Sequence, residues 1–286
     1  MHQKELETLI RLLDDPDDEV YNIIKLKLHD AGTSIIKKLE KTWEIVDNPL
    51  VQERIEEISH QIQFSYIYNE FSKNFLKEEN DIFNILLLIS KFHFPEIDID
   101  NYKTRFYALL HGIEAELTSG LTPLEKIKVV DHIVYQEYKI SRVFSGQKNP
   151  DNYLLSSLLT NNKGNSLALT LFYLAIGQKL NLPLYAVNLP DNFALAYLKM
   201  PSLEVDIQIK DVLFYINPGN RGAIFSRIEI DEFLKKVGKP NDSKYYLPIS
   251  TKQTIKIYMN SLHKSYYDYG NKTKAKEFAR LLSFVK

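Results

Sequence analysis

Apolar residues in the first part of the chain recur at helical spacing. Leu6, Leu9 and Leu13 fall on one face of a helix, and the same spacing resumes between Val20 and Leu28. The acidic segment 14–18 separates the two stretches and contains a proline, which ends the first helix. This segment lacks the central glycine and the terminal glutamate of a calcium-binding EF-hand loop. We therefore expect a solvated turn whose carboxylates favour the start of the second helix.

Two short helices joined by an acidic turn resemble one HEAT repeat. The segment 48–62 begins with Asn48-Pro49 and continues at helical spacing, so it looks like a second and weaker copy. Two copies are too few for a free-standing solenoid. The pattern predicts a HEAT-like helical region over residues 1–94.

The pattern changes within residues 95–248. Thr122 and Glu125 enclose Pro123 in the order of a capping box, which predicts the start of a helix. The stretch from Ser166 to Leu180 is apolar on most sides, as expected for a buried central helix. The runs that follow are typical of strands joined by turns, and they are 184–189, 193–198, 205–209 and 212–216. One buried helix followed by an antiparallel meander predicts an α+β fold for this core.

The last part of the chain, residues 249–286, returns to helical spacing. Apolar residues recur between Ile255 and Tyr266 and again between Ala275 and Leu282, with Gly270-Asn271 between the two stretches. This order is typical of a tetratricopeptide-like helical hairpin. We expect the hairpin to cap a neighbouring domain.

The amino-acid composition excludes some kinds of chemistry and indicates where in the cell the protein is found. The 286 residues carry a net charge of -1, which gives no global field to attract nucleic acid, and they include no cysteine. Without thiols the chain has no disulfide, no thiolate metal site and no thiol nucleophile. The polar N-terminus shows no signal peptide, and the longest aliphatic run, Ile85–Ile89, is far shorter than the ~20 residues that span a bilayer. We expect a cytoplasmic protein with no cofactor and with neither nucleic acid nor membrane as a partner.

Four motifs in the second half of the chain carry a family resemblance. They are Gly164-Asn165-Ser166-Leu167-Ala168-Leu169, Leu180-Asn181-Leu182-Pro183, the segment Val187 to Phe193, and the segment Tyr215 to Gly222. Together with Thr122 to Lys126, they resemble the SirB-type proteins of the transglutaminase-like superfamily. The resemblance implies a papain- or transglutaminase-like core, with a central buried helix and an antiparallel sheet, followed by tetratricopeptide-like helices.

The resemblance also implies where catalytic residues would stand. Active members of the superfamily place a cysteine at the start of the central helix, a histidine on the next strand, and an Asp or Asn on a following strand. These positions correspond to Ser166, Asn192 and Asn217, and no histidine lies between His132 and His263. An asparagine amide cannot accept a proton near neutral pH. The chain is therefore expected to be catalytically degenerate and not an enzyme.

Each of the three positions also has a purely structural interpretation. Ser166 is expected to cap the N-terminus of the central helix. Asp191-Asn192 and Asn217-Pro218-Gly219-Asn220 are typical of turns, and the second could form an anion-binding nest. The candidate cleft contains no metal site and is made of seven residues, which are Gly164, Asn165, Ser166, Asn188, Asp191, Asn192 and Asn217.

Three functions are compatible with these residues. The leading hypothesis is a non-catalytic module that binds a protein or peptide partner in the candidate cleft. The alternative is a hydrolase or acyltransferase in which His111 or His132, from a preceding helix, activates Ser166. The third is a structural subunit whose helical ends mediate oligomerisation, which a large exposed apolar patch would favour.

Overall fold

The computed structural model describes residues 3–75, 81–145, 148–190, 192–199 and 207–285, and of Asn192 it describes the backbone alone. The predicted α+β fold is confirmed, with a small antiparallel sheet and with helical regions before and after it. The chain divides into two compact units, residues 1–73 and 74–286. The division into three parts at residues 94 and 248 stays a prediction.

The first unit is helical and is built around an aliphatic core. Leucine and isoleucine side chains pack in one cluster that includes Leu13, Leu28, Leu39 and Ile58. The helices that carry them are α1 Gln3–Arg11, α2 Asp18–Asp30, α3 Ile36–Ile45 and α4 Pro49–Phe75. The helical spacing predicted here is confirmed, but α4 is one helix of 27 residues and extends well beyond the segment proposed as a second repeat.

The acidic segment between α1 and α2 caps the N-terminus of α2. The Asp17 side chain caps this helix by accepting a hydrogen bond from the backbone N–H of Glu19 at 2.8 Å. The buried side chain of Arg54 donates to the backbone carbonyls of Leu13 and Asp15, at 2.9 and 2.6 Å. The predicted role of the carboxylates at the helix N-terminus is therefore confirmed.

The second unit contains the sheet and most of the helices. Thr122 and Glu125 form the predicted capping box, and a short π-helical turn, His132–Glu137, follows the helix that they start. No helix in the described ranges combines the length and the apolarity that a membrane crossing requires. The helices of this unit are α5 Ile82–His93, α6 Ile99–Glu116, α7 Pro123–Asp131, α8 Leu155–Asn161, α9 Ser166–Lys179, α10 Arg227–Lys236, α11 Thr251–Asp268 and α12 Lys272–Leu282.

The sheet is the predicted antiparallel meander. Its strands pair in chain order and are β3 Leu184–Leu189, β4 Asn192–Leu198, β5 Val212–Asn217 and β6 Ala223–Phe225. Two shorter strands, β1 Ser141–Arg142 and β2 Lys163–Gly164, form a separate parallel pair. The run predicted as a strand at 205–209 lies partly outside the described residues, and Ile209–Asp211 forms a 3-10 turn. Strands β1, β2 and β6 escape the sequence pattern because two or three residues are too few to show alternation.

Helix α9 is the predicted central helix. Every residue from Ala168 to Gly177 is buried, because helices α5 and α8 and strands β3 and β4 all pack against it. A Cβ atom at Gly177 would lie 2.8 Å from Leu184 Cδ1, so the helix and the sheet are in close contact there. The N-terminus of α9 meets the turn Pro218–Asn220 that follows β5, and this meeting point positions the candidate site.

The C-terminal hairpin packs on the end of α5 and on the turn Pro150–Tyr153. The Tyr266 hydroxyl lies 2.8 Å from Nδ1 of His93, at the end of α5. Lys274 Nζ donates to the His93 backbone carbonyl at 2.6 Å, and the Tyr258 hydroxyl donates to the Tyr153 carbonyl at 3.0 Å. Helix α11 is therefore fixed to the rest of the unit through buried tyrosines, and α12 through Lys274.

Candidate functional site

The first residues of α9 form one wall of the candidate site. Asn165 is buried and caps the helix, because its Oδ1 accepts a hydrogen bond from the backbone N–H of Ala168 at 2.8 Å. Its own N–H donates to the Asn152 carbonyl, also at 2.8 Å. The expectation that Ser166 is the cap is wrong. Asn165 has the extended backbone that a cap requires, whereas Ser166 is already the first helical residue.

The turn after β5 brings Asn217 to Ser166. A Cβ atom at Gly219 would lie 2.6 Å from the Ser166 hydroxyl and 3.3 Å from Asn217 Oδ1, so only glycine allows this approach. Asn217 Oδ1 is buried and finds no hydrogen-bond partner within the part of the chain that is described. Two of the three positions that the resemblance assigned to catalysis, Ser166 and Asn217, therefore converge on Gly219.

The third position lies at the turn between β3 and β4. In the register of this pair Leu189 faces Asn192 and Asn188 faces Phe193, which places the Asn192 backbone at the start of β4. The Asn192 side chain and all of Asp191 lie outside the described residues. Asn188 is exposed on β3, next to this turn.

An open cleft of about 660 Å³ lies beside the start of α9. Three of the predicted cleft residues line it, and they are Asn165, Ser166 and Asn188. Apolar side chains make up much of the remaining wall, among them Leu167, Leu189, Phe193, Phe233 and Ile257. Gly164 has a packing role instead, because a Cβ atom there would lie 2.9 Å from Leu158 Cδ1 and 3.3 Å from Ala168 Cβ.

The charged residues that line this cleft are basic. They are Arg142 and Lys148, and no carboxylate lines it among the residues that the structure describes. Arg142 Nε is buried and has no hydrogen-bond partner in the described ranges. Lys148 is largely exposed, with Nζ 3.8 Å from an Asp268 carboxylate oxygen. The charged side chains of the cleft are therefore positive, and one of them, Arg142, has a buried N–H donor without an acceptor among the described residues.

Sequence reasoning misses both basic residues because nothing local marks them. Arg142 reaches the site through the parallel pairing of β1 with β2, in which it lies opposite Gly164. Its neighbour Val143 donates its N–H to the Gly164 carbonyl at 2.9 Å. A pairing of two-residue strands leaves no signal of its own in the sequence.

A partly buried acid, Asp131, lies against this turn. Gly222 has a φ of +72°, and a Cβ atom there would overlap the Asp131 carboxylate. The Tyr173 hydroxyl donates to Asp131 Oδ1 at 2.9 Å, and the Tyr135 hydroxyl donates to the Pro218 carbonyl at 2.8 Å. Burial raises the pKa of Asp131 to about 7, although the hydrogen bond from Tyr173 acts in the opposite direction.

The two histidines proposed as a base for Ser166 have other neighbours. His111 is 78% exposed at its side chain and lies 3.1 Å from a Glu114 oxygen. His132 Nδ1 is 3.2 Å from the Gln136 side-chain oxygen, and its Nε2 is 3.6 Å from Glu137. Neither is among the described residues that line the Ser166 cleft.

Comparison with known families assigns the region that contains this site. The family model described as the transglutaminase-like superfamily matches residues 100–260, which is more than half of the chain and includes α9, the sheet and both basic residues. No curated protein and no solved structure matches the chain. The matched region holds the helix that begins at Ser166, the antiparallel meander, and the turn that carries Asn217 and Gly219. We conclude from this match that the chain belongs to the transglutaminase-like superfamily.

Proposed function

We propose that this chain is a catalytically inactive, SirB-type member of the superfamily that binds an anionic protein or peptide segment in the Ser166 cleft, in the cytoplasm. One observation carries the proposal. The cleft is open and basic, while the side chain that meets Ser166 at Gly219 is the amide of Asn217.

The chemistry at Ser166 supports a loss of catalysis. A serine hydroxyl becomes a nucleophile when a base within hydrogen-bond reach takes its proton. The Asn217 amide carries an oxygen that accepts hydrogen bonds but takes up no proton near neutral pH. Asn192, the residue that corresponds to the histidine base, has the same limitation. The framework of the site remains, without the groups that would transfer a proton.

The lining of the cleft supports an anionic peptide as its occupant. Apolar side chains such as Leu167 and Val237 provide exposed area to bury, and Ser166 and Asn188 provide polar groups. Arg142 can form a charge-assisted hydrogen bond to a carboxylate, and its buried Nε currently lacks one among the described residues. A segment with apolar side chains and an Asp, a Glu or a C-terminal carboxylate complements both features.

Selection from a random peptide library tests this proposal. Enriched peptides would be synthesised and their affinities measured on wild type, Asn188→Trp, Arg142→Gln and Leu213→Trp. We expect peptides with a carboxylate beside apolar residues. Asn188→Trp should weaken binding at least about tenfold by filling the cleft, and Arg142→Gln should weaken it by a similar factor.

Leu213→Trp is the matched control, because Leu213 is exposed on β5 and is not among the lining residues. It should leave the affinity unchanged. Enrichment of no peptide, or equal affinity for all four proteins, would contradict the proposal.

The second candidate function is a serine hydrolase or acyltransferase. The observation that favours it is the place of Ser166 in the first turn of α9, where the helix dipole stabilises negative charge. A fluorophosphonate probe, followed by mass spectrometry, measures whether Ser166 reacts. Labelling of Ser166 that disappears in His132→Ala or His111→Ala would replace the binding proposal with this one.

A further inference from the structure

A second cleft lies along the same segment, 148–153, and shares no lining residue with the Ser166 cleft. It has a volume of about 680 Å³ and forms where the loop after α5 and the start of α6 approach α8 and the turn Pro150–Tyr153. The lining residues on which the inference rests are Phe94, Glu96, Tyr102, Asp151 and Ser156.

The Ser156 hydroxyl is the feature of this cleft that indicates a ligand. The residue is only 2% exposed, and its hydroxyl finds no hydrogen-bond partner in the described part of the chain. Its backbone N–H donates to the Ser90 hydroxyl at 3.2 Å, so only the side-chain hydroxyl lacks a partner among the described residues. A buried polar group without a partner is unfavourable, and native proteins keep few of them. A polar group of a ligand in the cleft would remove this deficit.

The charge of the second cleft is opposite to that of the Ser166 cleft. Glu96 and Asp151 line it, and no Lys, Arg or His does so among the residues described. Asp151 Oδ1 lies 3.0 Å from Nε2 of His93, but burial lowers the pKa of His93 to about 4, which keeps the imidazole neutral at pH 7. Two lysines lie close by without lining the cleft: Lys91 Nζ donates to the carbonyl of the lining residue Ile97 at 3.1 Å, and Lys274 contacts the His93 carbonyl. The charged side chains that line the cleft are therefore the two carboxylates, and both are partly exposed to solvent.

An aromatic ring and hydroxyl groups complete the wall. Phe94 is 37% exposed, and an exposed ring beside carboxylates suits a cation with an alkyl chain. The Tyr102 hydroxyl lies 2.9 Å from the Thr160 hydroxyl, so both of these groups already have a partner. Ser156 remains the group that needs one.

From this arrangement we propose that the second cleft binds an alkylammonium group, either the side chain of a lysine in a partner or a free diamine. Glu96 and Asp151 provide its counter-charge, the Phe94 ring covers its alkyl chain, and the Ser156 hydroxyl accepts one of its N–H groups. The site is separate from the Ser166 cleft, and this inference does not rest on the function proposed for that cleft.

Calorimetric titration of the full chain with cadaverine tests the inference. The matched neutral probe is 1,5-pentanediol, which has the same length and no charge. We expect cadaverine to bind in the range of about 1 mM or tighter, with an affinity that falls as salt rises, and pentanediol not to bind. A second titration with an acetylated lysine amide identifies the source, because tighter binding of that probe favours a partner's side chain and tighter binding of cadaverine favours a free diamine.

Variants locate the binding. Glu96→Gln is the decisive change, since Glu96 is exposed and its replacement does not endanger folding. It should weaken cadaverine about tenfold, which corresponds to ~1.4 kcal/mol, and Asp151→Asn should act in the same direction. Glu116→Gln, an exposed glutamate at the end of α6 that does not line the cleft, should have no effect.

Ser156→Ala separates a ligand role from a structural one. We expect several-fold weaker binding of cadaverine and no loss of folding stability, because the change removes a hydroxyl that has no partner. The inference would be overturned by equal binding of cadaverine and pentanediol, by no binding up to about 10 mM, by equal effects of Glu96→Gln and Glu116→Gln, or by a Ser156→Ala variant that is less stable than wild type.

Discussion

Asn165 and Ser166 are neighbours with different tasks at the start of α9. Asn165 has an extended backbone, is buried and holds the Ala168 N–H, whereas Ser166 is helical and faces the turn at Gly219. Both residue types are favoured at helix caps, so composition alone does not decide between them. The backbone conformation decides which residue is the cap. Because the cap is Asn165, the Ser166 side chain is left to line the cleft.

Replacement of the cap gives the first prediction. Asn165→Ala should lower the free energy of unfolding by about 1–2 kcal/mol, because the Ala168 N–H loses its acceptor, while Asn165→Asp keeps the acceptor and costs less. Urea unfolding of the variants measures the difference. A larger loss in Ser166→Ala than in Asn165→Ala would show that the cap is assigned to the wrong residue.

The partly buried Asp131 near the site gives a pH-dependent prediction. The pKa of Asp131 is about 7 in the folded chain and 3.8 for an ordinary aspartate, so the folded state binds the proton more tightly. The stability that depends on this proton is fully present below pH 3.8 and is lost as the pH rises towards 7.

Asp131→Asn removes this dependence and keeps an oxygen for the Tyr173 hydroxyl. The variant should match wild type near pH 4 and exceed it by about 4 kcal/mol at pH 8. Urea unfolding at both pH values measures the difference between the two proteins. A constant difference across this range would mean that Asp131 does not titrate there.

At the scale of elements, the turn between β5 and β6 joins the parts of the site. It meets α9 through Gly219 and the end of α7 through Gly222, and the Tyr135 hydroxyl holds its Pro218 carbonyl. Its sequence, Asn217-Pro218-Gly219-Asn220, predicts a turn correctly. The sequence does not reveal why two of its residues are glycines, because both are required by contacts with distant elements.

Two glycines with positive φ provide a matched test of this turn. Gly238 has a φ of +67° and no atom within 4 Å of a built Cβ among the described residues, so Gly238→Ala should cost about 1 kcal/mol from backbone strain. Gly222→Ala adds an overlap with Asp131, and we expect a loss of about 3 kcal/mol or more.

Thermal and urea unfolding of the two variants measure the losses. Equal losses would show that the Asp131 contact adds nothing to the requirement for glycine at Gly222.

At the scale of the whole molecule, the unit formed by residues 74–286 depends on its C-terminal hairpin. Tyr258, Tyr266 and Phe278 are fully buried, and Phe278 packs with Phe92 of α5 at 5.4 Å between ring centroids. Removal of one large aromatic core residue typically costs 3–5 kcal/mol, and a whole domain is stable by only ~5–15 kcal/mol. The hairpin is therefore part of the core of this unit.

Truncation tests that dependence. A fragment of residues 74–286 should unfold in one cooperative transition, whereas residues 74–249 should show no such transition, because the fragment exposes the surfaces that α11 and α12 cover. Circular dichroism during heating distinguishes the two results. A cooperative transition of equal midpoint in both fragments would show that the hairpin is an independent appendage.

The local features of this protein follow from its amino-acid sequence alone. The helical spacing, the capping box at Thr122, the apolar central helix and the short apolar strands are each set by residues within one element, so they are visible in the sequence. The site, in contrast, forms only when distant parts of the chain pack together. Arg142 opposite Gly164, Gly219 against Ser166 and Gly222 against Asp131 join residues that lie 22, 53 and 91 positions apart. Such contacts depend on which elements pack against one another, and the choice of packing partner leaves no period in the sequence.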